Sequence, residues 1–185
     1  MSTTQSKSYK AAVVTVSDSR SSGKHEDTVG PQLVQILSDA GFEINEPVII
    51  PDDYLTIVKT LESQLFNKNL DLIVTTGGTG ISPRDTTPEA TRAVIFYEIP
   101  GLAECMRFEG SKNTRLAWLS RGVAGVRAQS IIINVPGSER GAIQSLTAVM
   151  GILMHAIATV KGESHECGRK LGEKDSPDSS GLLKT

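Results

Sequence analysis

The sequence predicts an α/β domain with a mainly parallel sheet and helices on both faces. Three observations carry this. Apolar runs alternate with segments of helical periodicity three times in the first half of the chain, the pattern of successive βαβ units. The runs 10–16 and 70–76 are apolar and β-branched almost throughout, as strands buried on both faces are. Each run ends in small or acidic residues: Ser17-Asp18, Pro51-Asp52 and Gly77 onward. In a parallel sheet these ends share one rim, and ligands bind beyond that rim.

The elements follow in order. Lys10-Ala11-Ala12-Val13-Val14-Thr15-Val16 is the first strand, and the small polar residues from Ser21 to Asp27 form a loop. A helix begins near Thr28 with Val29, Leu33, Ile36 and Leu37 on one face. Pro31 is tolerated in its first turn and Gly41 ends it. Residues 42–50 read as the second strand, stopped by Pro51. Asp52 and Asp53 then open a helix with Leu55, Val58, Leu61 and Leu65 facing inward. The third strand runs from Leu70 to Thr76.

The glycine loop Gly77-Gly78-Thr79-Gly80 follows, then a long polar stretch to Thr87. Thr87-Pro88 reads as an N-cap with proline at the first helical position, and that helix runs to about Tyr97. Pro100-Gly101 breaks the chain before a helix over 102–108. Two strands, 123–127 and 130–135, are joined by a tight connection. Pro136-Gly137-Ser138 leads into a last helix, about 140–161, whose segment 146–160 reads as buried. His155 within it reads as a packing residue rather than a ligand.

Composition excludes several classes. The 185 residues suit one domain with tails. A net charge of −2 gives no electrostatic case for nucleic acid, and 4% aromatics leaves little for base stacking. Cys105 and Cys167 make no disulfide framework and have no metal-type spacing. No segment resembles a signal peptide or reads as a membrane span, so the expectation is a soluble cytoplasmic protein with neither membrane nor nucleic acid as partner.

The glycine loop at a strand end, followed by a helix N-terminus, makes an anion-binding corner. It is neither a Walker loop nor a Rossmann turn, because the Lys-Ser/Thr pair and the Rossmann spacing are absent. A plain tight turn would use the same glycines, but structural βα loops span only about 2–6 residues, shorter than this one. Asp85 is an odd acid for a phosphate loop unless a cation sits between them. Asp52 is either a helix cap or a second carboxylate for that cation. Arg20 and Arg84 are either phosphate ligands or solvated loop charges.

Thr15-Val16-Ser17-Asp18, Asp27 with Gly30, Pro51-Asp52, residues 76–80, residues 83–91, Pro100-Gly101, Leu119-Ser120-Arg121, Ala124-Gly125 and Asn134-Val135-Pro136-Gly137 stand in one order. In that order the chain resembles the molybdopterin adenylyltransferases, the MogA/MoaB-like group that includes the G domain of gephyrin. The resemblance covers residues 9–161, leaving residues 1–8 as a flexible tail and residues 162–185 as a polar tail expected to be disordered. It implies a three-layer α/β/α sandwich of the molybdopterin-binding-domain type, usually a homotrimer and sometimes a hexamer. It implies Mg²⁺-dependent adenylylation of molybdopterin by ATP, with release of pyrophosphate, and contact with other molybdenum cofactor biosynthesis proteins. The catalytic, metal-holding pair falls on Asp52 and Asp85. Substrate and nucleotide contacts fall on Ser17, Asp18, Gly77, Gly78, Thr79, Gly80, Ser120, Asn134, Pro136, Gly137 and Ser138. Asp53 stands where many relatives carry Glu, which leaves open which of Asp52 and Asp53 faces the metal. The alternative is a non-catalytic molybdopterin carrier or chaperone of the same family.

Overall fold

The computed structural model describes residues 8–163, so the tail expectations, His165 and Cys167 lie outside the described residues. Seven strands among the described residues form one sheet. They are β1 (Lys10–Val16), β2 (Glu43–Ile44), β3 (Val48–Ile50), β4 (Leu72–Thr76), β5 (Tyr97–Glu98), β6 (Ala124–Arg127) and β7 (Ser130–Val135). The helices are α1 (Asp18–Ser21), α2 (Val29–Asp39), α3 (Tyr54–Lys68), α4 (Thr87–Val94), α5 (Pro100–Ser111) and α6 (Glu139–Val160), with a 3₁₀ turn over Arg115–Leu119.

The strand order is β2-β1-β4-β7-β6-β5, and β3 also pairs with β1. β1 runs parallel to β2, β3 and β4, and β4 parallel to β7, while β6 is antiparallel to both β5 and β7. Alternate side chains of the central strands feed two separate cores. Ala11, Val13, Leu72, Val74, Ile131 and Ile133 pack under α2, α5 and α6. Ala12, Val14, Ile73 and Ile132 pack under α3 and α4. The three-layer α/β/α architecture follows from strands apolar on both faces. Ile132 is fully buried at the centre of β7. Ile132→Ala is expected to cost about 3 kcal/mol in urea unfolding, because the stiff sheet around it cannot collapse into the space.

Several expectations change in detail. The second strand is two pieces on one edge: β2 pairs with the start of β1 and β3 with its end. Pro47 lies between them, and its missing N–H interrupts the ladder. On α3 Ile57 and Leu61 are fully buried and Val58 and Leu65 pack against the same core, while Leu55 is 61% exposed. α4 stops at Val94, and Phe96 and Ile99 donate to Val126 and Ala124, which draws 97–98 into the sheet as β5. Thr87 is the first helical residue and Thr86 the N-cap, because the Thr87 N–H is tied back to the Gly78 carbonyl at 3.2 Å. α6 buries only one stripe: Leu146, Val149, Leu153 and Ile157 face the core, whereas Ile152, Met154 and His155 are exposed. His155 is therefore a surface residue rather than a packing one.

Candidate active site

The parallel register brings the predicted strand ends together. Val16 pairs with Ile50, Thr15 with Thr76, and Thr76 with Val135, so Ser17, Asp52, Gly77 and Pro136 leave the sheet side by side. The glycine loop occupies the middle. Gly77 has φ +105° and Gly78 φ +61°, a region costly for other residues. A Cβ on Gly77 would lie 2.1 Å from the Val16 carbonyl oxygen, so only glycine lets the loop fold this close to β1.

The two aspartates meet this loop at different glycines. A Cβ on Gly78 would stand 3.2 Å from Asp52 Oδ1, and one on Gly80 would stand 3.0 Å from Asp85 Oδ2. Asp53, not Asp52, caps α3: its Oδ2 accepts from the Thr56 N–H at 2.9 Å and the Thr56 hydroxyl at 2.8 Å. Those bonds hold the Asp53 carboxyl below the usual carboxylate range. Asp52, which does not cap the helix, lies against the glycine loop instead.

Asp52 exchanges bonds with Asp18. Asp18 N–H donates to Asp52 Oδ2 at 2.9 Å, and Asp52 N–H donates to Asp18 Oδ1 at 3.1 Å. Arg84 closes the group by pairing with Asp18 Oδ2, and its side chain stays 68% exposed, as a solvated loop charge does. Arg20 pairs with Asp27 at 3.5 Å and belongs to the support of α2. Asp85 turns its Oδ2 onto the Ser82 N–H at 2.8 Å.

Burial pushes the Asp52 carboxyl above its usual value, helped by the Asp18 and Asp85 charges and opposed by the Asp18 N–H and Arg84. The unfolded chain therefore ionises first. The buried site loses stability as pH rises from the ordinary value of 3.8, and the loss is complete above the raised folded value. Asp52→Asn removes this cost and keeps an oxygen for the Asp18 N–H. In metal-free protein the variant is expected to melt higher than wild type at neutral pH. The gain should vanish below pH 3.8; melting curves across pH check it.

A cavity of about 560 Å³ opens on the Asp85 side of the loop. Gly78, Thr79 and Gly80 form one wall, Pro136, Gly137 and Ser138 another, and α5 with the 3₁₀ turn the third. Ser138 stands at the N-cap of α6, makes no side-chain capping bond and lines the cavity. Ser120 lines the same space, its Oγ accepting from the Gly122 N–H at 3.3 Å. Asn134 is used differently. Its amide donates to the Thr75 and Thr91 hydroxyls at 2.9 Å each, and its Oδ1 accepts from the Val123 N–H at 3.2 Å. It frames the cavity from beneath. Ser17 caps the short α1, accepting from the Arg20 N–H at 3.4 Å.

Two contributors escaped the sequence reading: the α5 wall, with Met106 and Arg107, and Arg121, which grips the glycine loop. The only signal for Arg121 was its place in the Leu119-Ser120-Arg121 motif.

A glycine turn at the switch point of a parallel sheet, flanked by two carboxylates and a ligand-sized cavity, defines a ligand-binding α/β protein. The chain belongs to the family described as "Probable molybdopterin binding domain", whose model matches residues 12–155. It is 36% identical to a molybdopterin adenylyltransferase of Helicobacter pylori J99, over 85% of this chain and 91% of that protein. It is 35% identical to the molybdenum cofactor synthesis protein cinnamon of Drosophila melanogaster, over 86% of this chain. The chain spans only 30% of the Drosophila protein, and 48% of a second, bifunctional relative. Among solved structures, the molybdopterin biosynthesis enzyme MoaB of Thermus thermophilus superposes with a TM-score of 0.79 at 45% identity, covering 83% of this chain and 97% of that one.

Proposed function

We propose that this chain is a molybdopterin adenylyltransferase that joins molybdopterin to the AMP part of ATP and releases pyrophosphate. One observation supports it above others: Asp52 and Asp85 flank one glycine turn beside a cavity able to hold a small organic ligand. The names of its relatives point the same way.

The donor set suits Mg²⁺. Both candidate ligands are hard carboxylate oxygens, and among the described residues no group of three or more His, Cys, Asp or Glu side chains converges. Mg²⁺ commonly takes one or two carboxylates and completes its shell with water and substrate phosphates. When bound, the ion would draw charge from the phosphates as the α-phosphorus is attacked. The chain's own groups do the rest. The N–H groups of the turn from Gly78 to Gly80 and the N-terminus of α6 receive phosphate oxygens. The cavity walls hold the pterin so that its terminal phosphate oxygen points at the α-phosphorus. A new P–O bond forms there, and the bond to pyrophosphate breaks. Nucleotidyl transfer needs positioning and charge neutralisation more than a protein nucleophile, and this site offers those.

The reading includes a homotrimer in the cytoplasm. The unburied apolar stripe of α6, with Ile152 and Met154 outward, supports a partner subunit. Sedimentation of the full chain tests the oligomer. For the activity, pyrophosphate release is measured with ATP and Mg²⁺ in the presence and absence of molybdopterin. Release should require molybdopterin; pterin binding without any release would favour a carrier.

A further inference from the structure

We propose that Arg121 is the positioning residue for Asp85, an assignment that rests on the adenylyltransferase reading. Arg121 spends its donors on the glycine loop. Its backbone N–H donates to the Thr79 carbonyl at 2.8 Å, and its Nε to the Gly80 carbonyl at 2.6 Å. Its Nη2 donates to the Asp85 carbonyl and its Nη1 to Glu89 Oε1. Gly80 and Asp85 are the two ends of the exposed stretch 81–84. One planar guanidinium therefore staples the loop at both ends and ties it to the start of α4. Lysine could hold one of these carbonyls at a time but not reproduce the fork.

The loop's other attachments are weaker. Those between Ser82 and Asp85 are local: Ser82 N–H donates to Asp85 Oδ2 at 2.8 Å, and Asp85 N–H to the Ser82 carbonyl at 2.9 Å. That shapes the turn without anchoring it. Arg84 reaches Asp18, but the two side chains are 68% and 49% exposed, and exposed pairs contribute little. Arg121 is in turn held from α5. Arg107 Nη1 donates to the carbonyls on either side of it, Ser120 at 3.4 Å and Gly122 at 3.1 Å. Arg107 also lines the cavity, so the cavity wall and the main chain of Asp85 are joined through two arginines.

The test uses the full chain with Arg121→Lys and Arg121→Ala. Backbone hydrogen exchange over residues 80–85 is read alongside kcat and KM. Both variants should exchange faster there while β4 and β7 stay protected. In Arg121→Lys, kcat should fall about 10²-fold, the scale of a misplaced reacting group, with KM for molybdopterin little changed. Guanidinium ion should restore part of the kcat of Arg121→Ala and none of that of Asp85→Ala. Wild-type exchange over 80–85 overturns the proposal. So does faster exchange that spreads equally through β4 and β7, or the absence of guanidinium rescue. If Arg121→Ala does not fold, Arg121→Lys carries the exchange and kcat readings alone. Exchange is measurable in a protein without turnover, so failure of the adenylyltransferase reading is distinguishable from failure of this one.

Discussion

Asp85→Asn is expected to lower adenylyl transfer about 10³-fold while molybdopterin binding is retained, the scale seen when one preorganised charge-stabilising group is lost. Asparagine is the informative substitution. Its side-chain oxygen can still accept the Ser82 N–H that Asp85 Oδ2 now receives at 2.8 Å, so the loop keeps its shape. The Arg121 bond goes to the main-chain carbonyl of residue 85 and is untouched. What disappears is the negative charge beside Gly80. Transfer is followed with the isolated substrates, and the melting temperature is recorded in parallel. An unchanged melting temperature with lost transfer places the effect in the chemistry. A wild-type rate would remove Asp85 from the mechanism.

Gly77→Ala is expected to destabilise the fold by about 3 kcal/mol or more, combining left-handed backbone strain with overpacking. The clash is with main chain, since the added Cβ would stand 2.1 Å from the Val16 carbonyl oxygen. β1 cannot yield easily, because Thr15 is paired with both β3 and β4 and Val16 with β3. Gly41→Ala provides the control. Gly41 has φ +90°, yet nothing lies within 4 Å of its added Cβ. Urea unfolding should therefore show a clearly smaller loss for Gly41→Ala. The difference measures the close approach of the glycine loop to β1, separately from strain.

Much of this site is legible in the sequence because a parallel sheet aligns its strand ends. Once 10–16 and 70–76 are recognised as doubly buried strands, Ser17, Asp52 and Gly77 must share a rim, and the register bears this out. What stayed hidden depended on side-chain choices that neighbours in sequence do not decide. Asp52 and Asp53 are equally plausible caps by type. The structure separates them because Asp53 reaches Thr56 while Asp52 turns to Asp18. Pro47 within residues 42–50 marks the break between β2 and β3, a breaker that the single-strand expectation passed over. β5 has two exposed residues, too few for periodicity to reveal. Arg121 was invisible as a structural hub because its partners are distant in sequence and mostly backbone carbonyls, including that of Gly80, 41 residues earlier. Asn134 lines the cavity, and its amide is consumed by Thr75, Thr91 and Val123, a network that no local pattern encodes.

The Asp52–glycine loop–Asp85 arrangement is expected to transfer AMP to molybdopterin. The most direct measurement incubates the full chain with molybdopterin, Mg²⁺ and ATP labelled at the α-phosphorus, then follows the label into the pterin, with Asp85→Ala beside it. The account predicts one AMP joined per molybdopterin consumed, one pyrophosphate released, and almost none of either with Asp85→Ala. Label transfer no higher than in the Asp85→Ala control would contradict it.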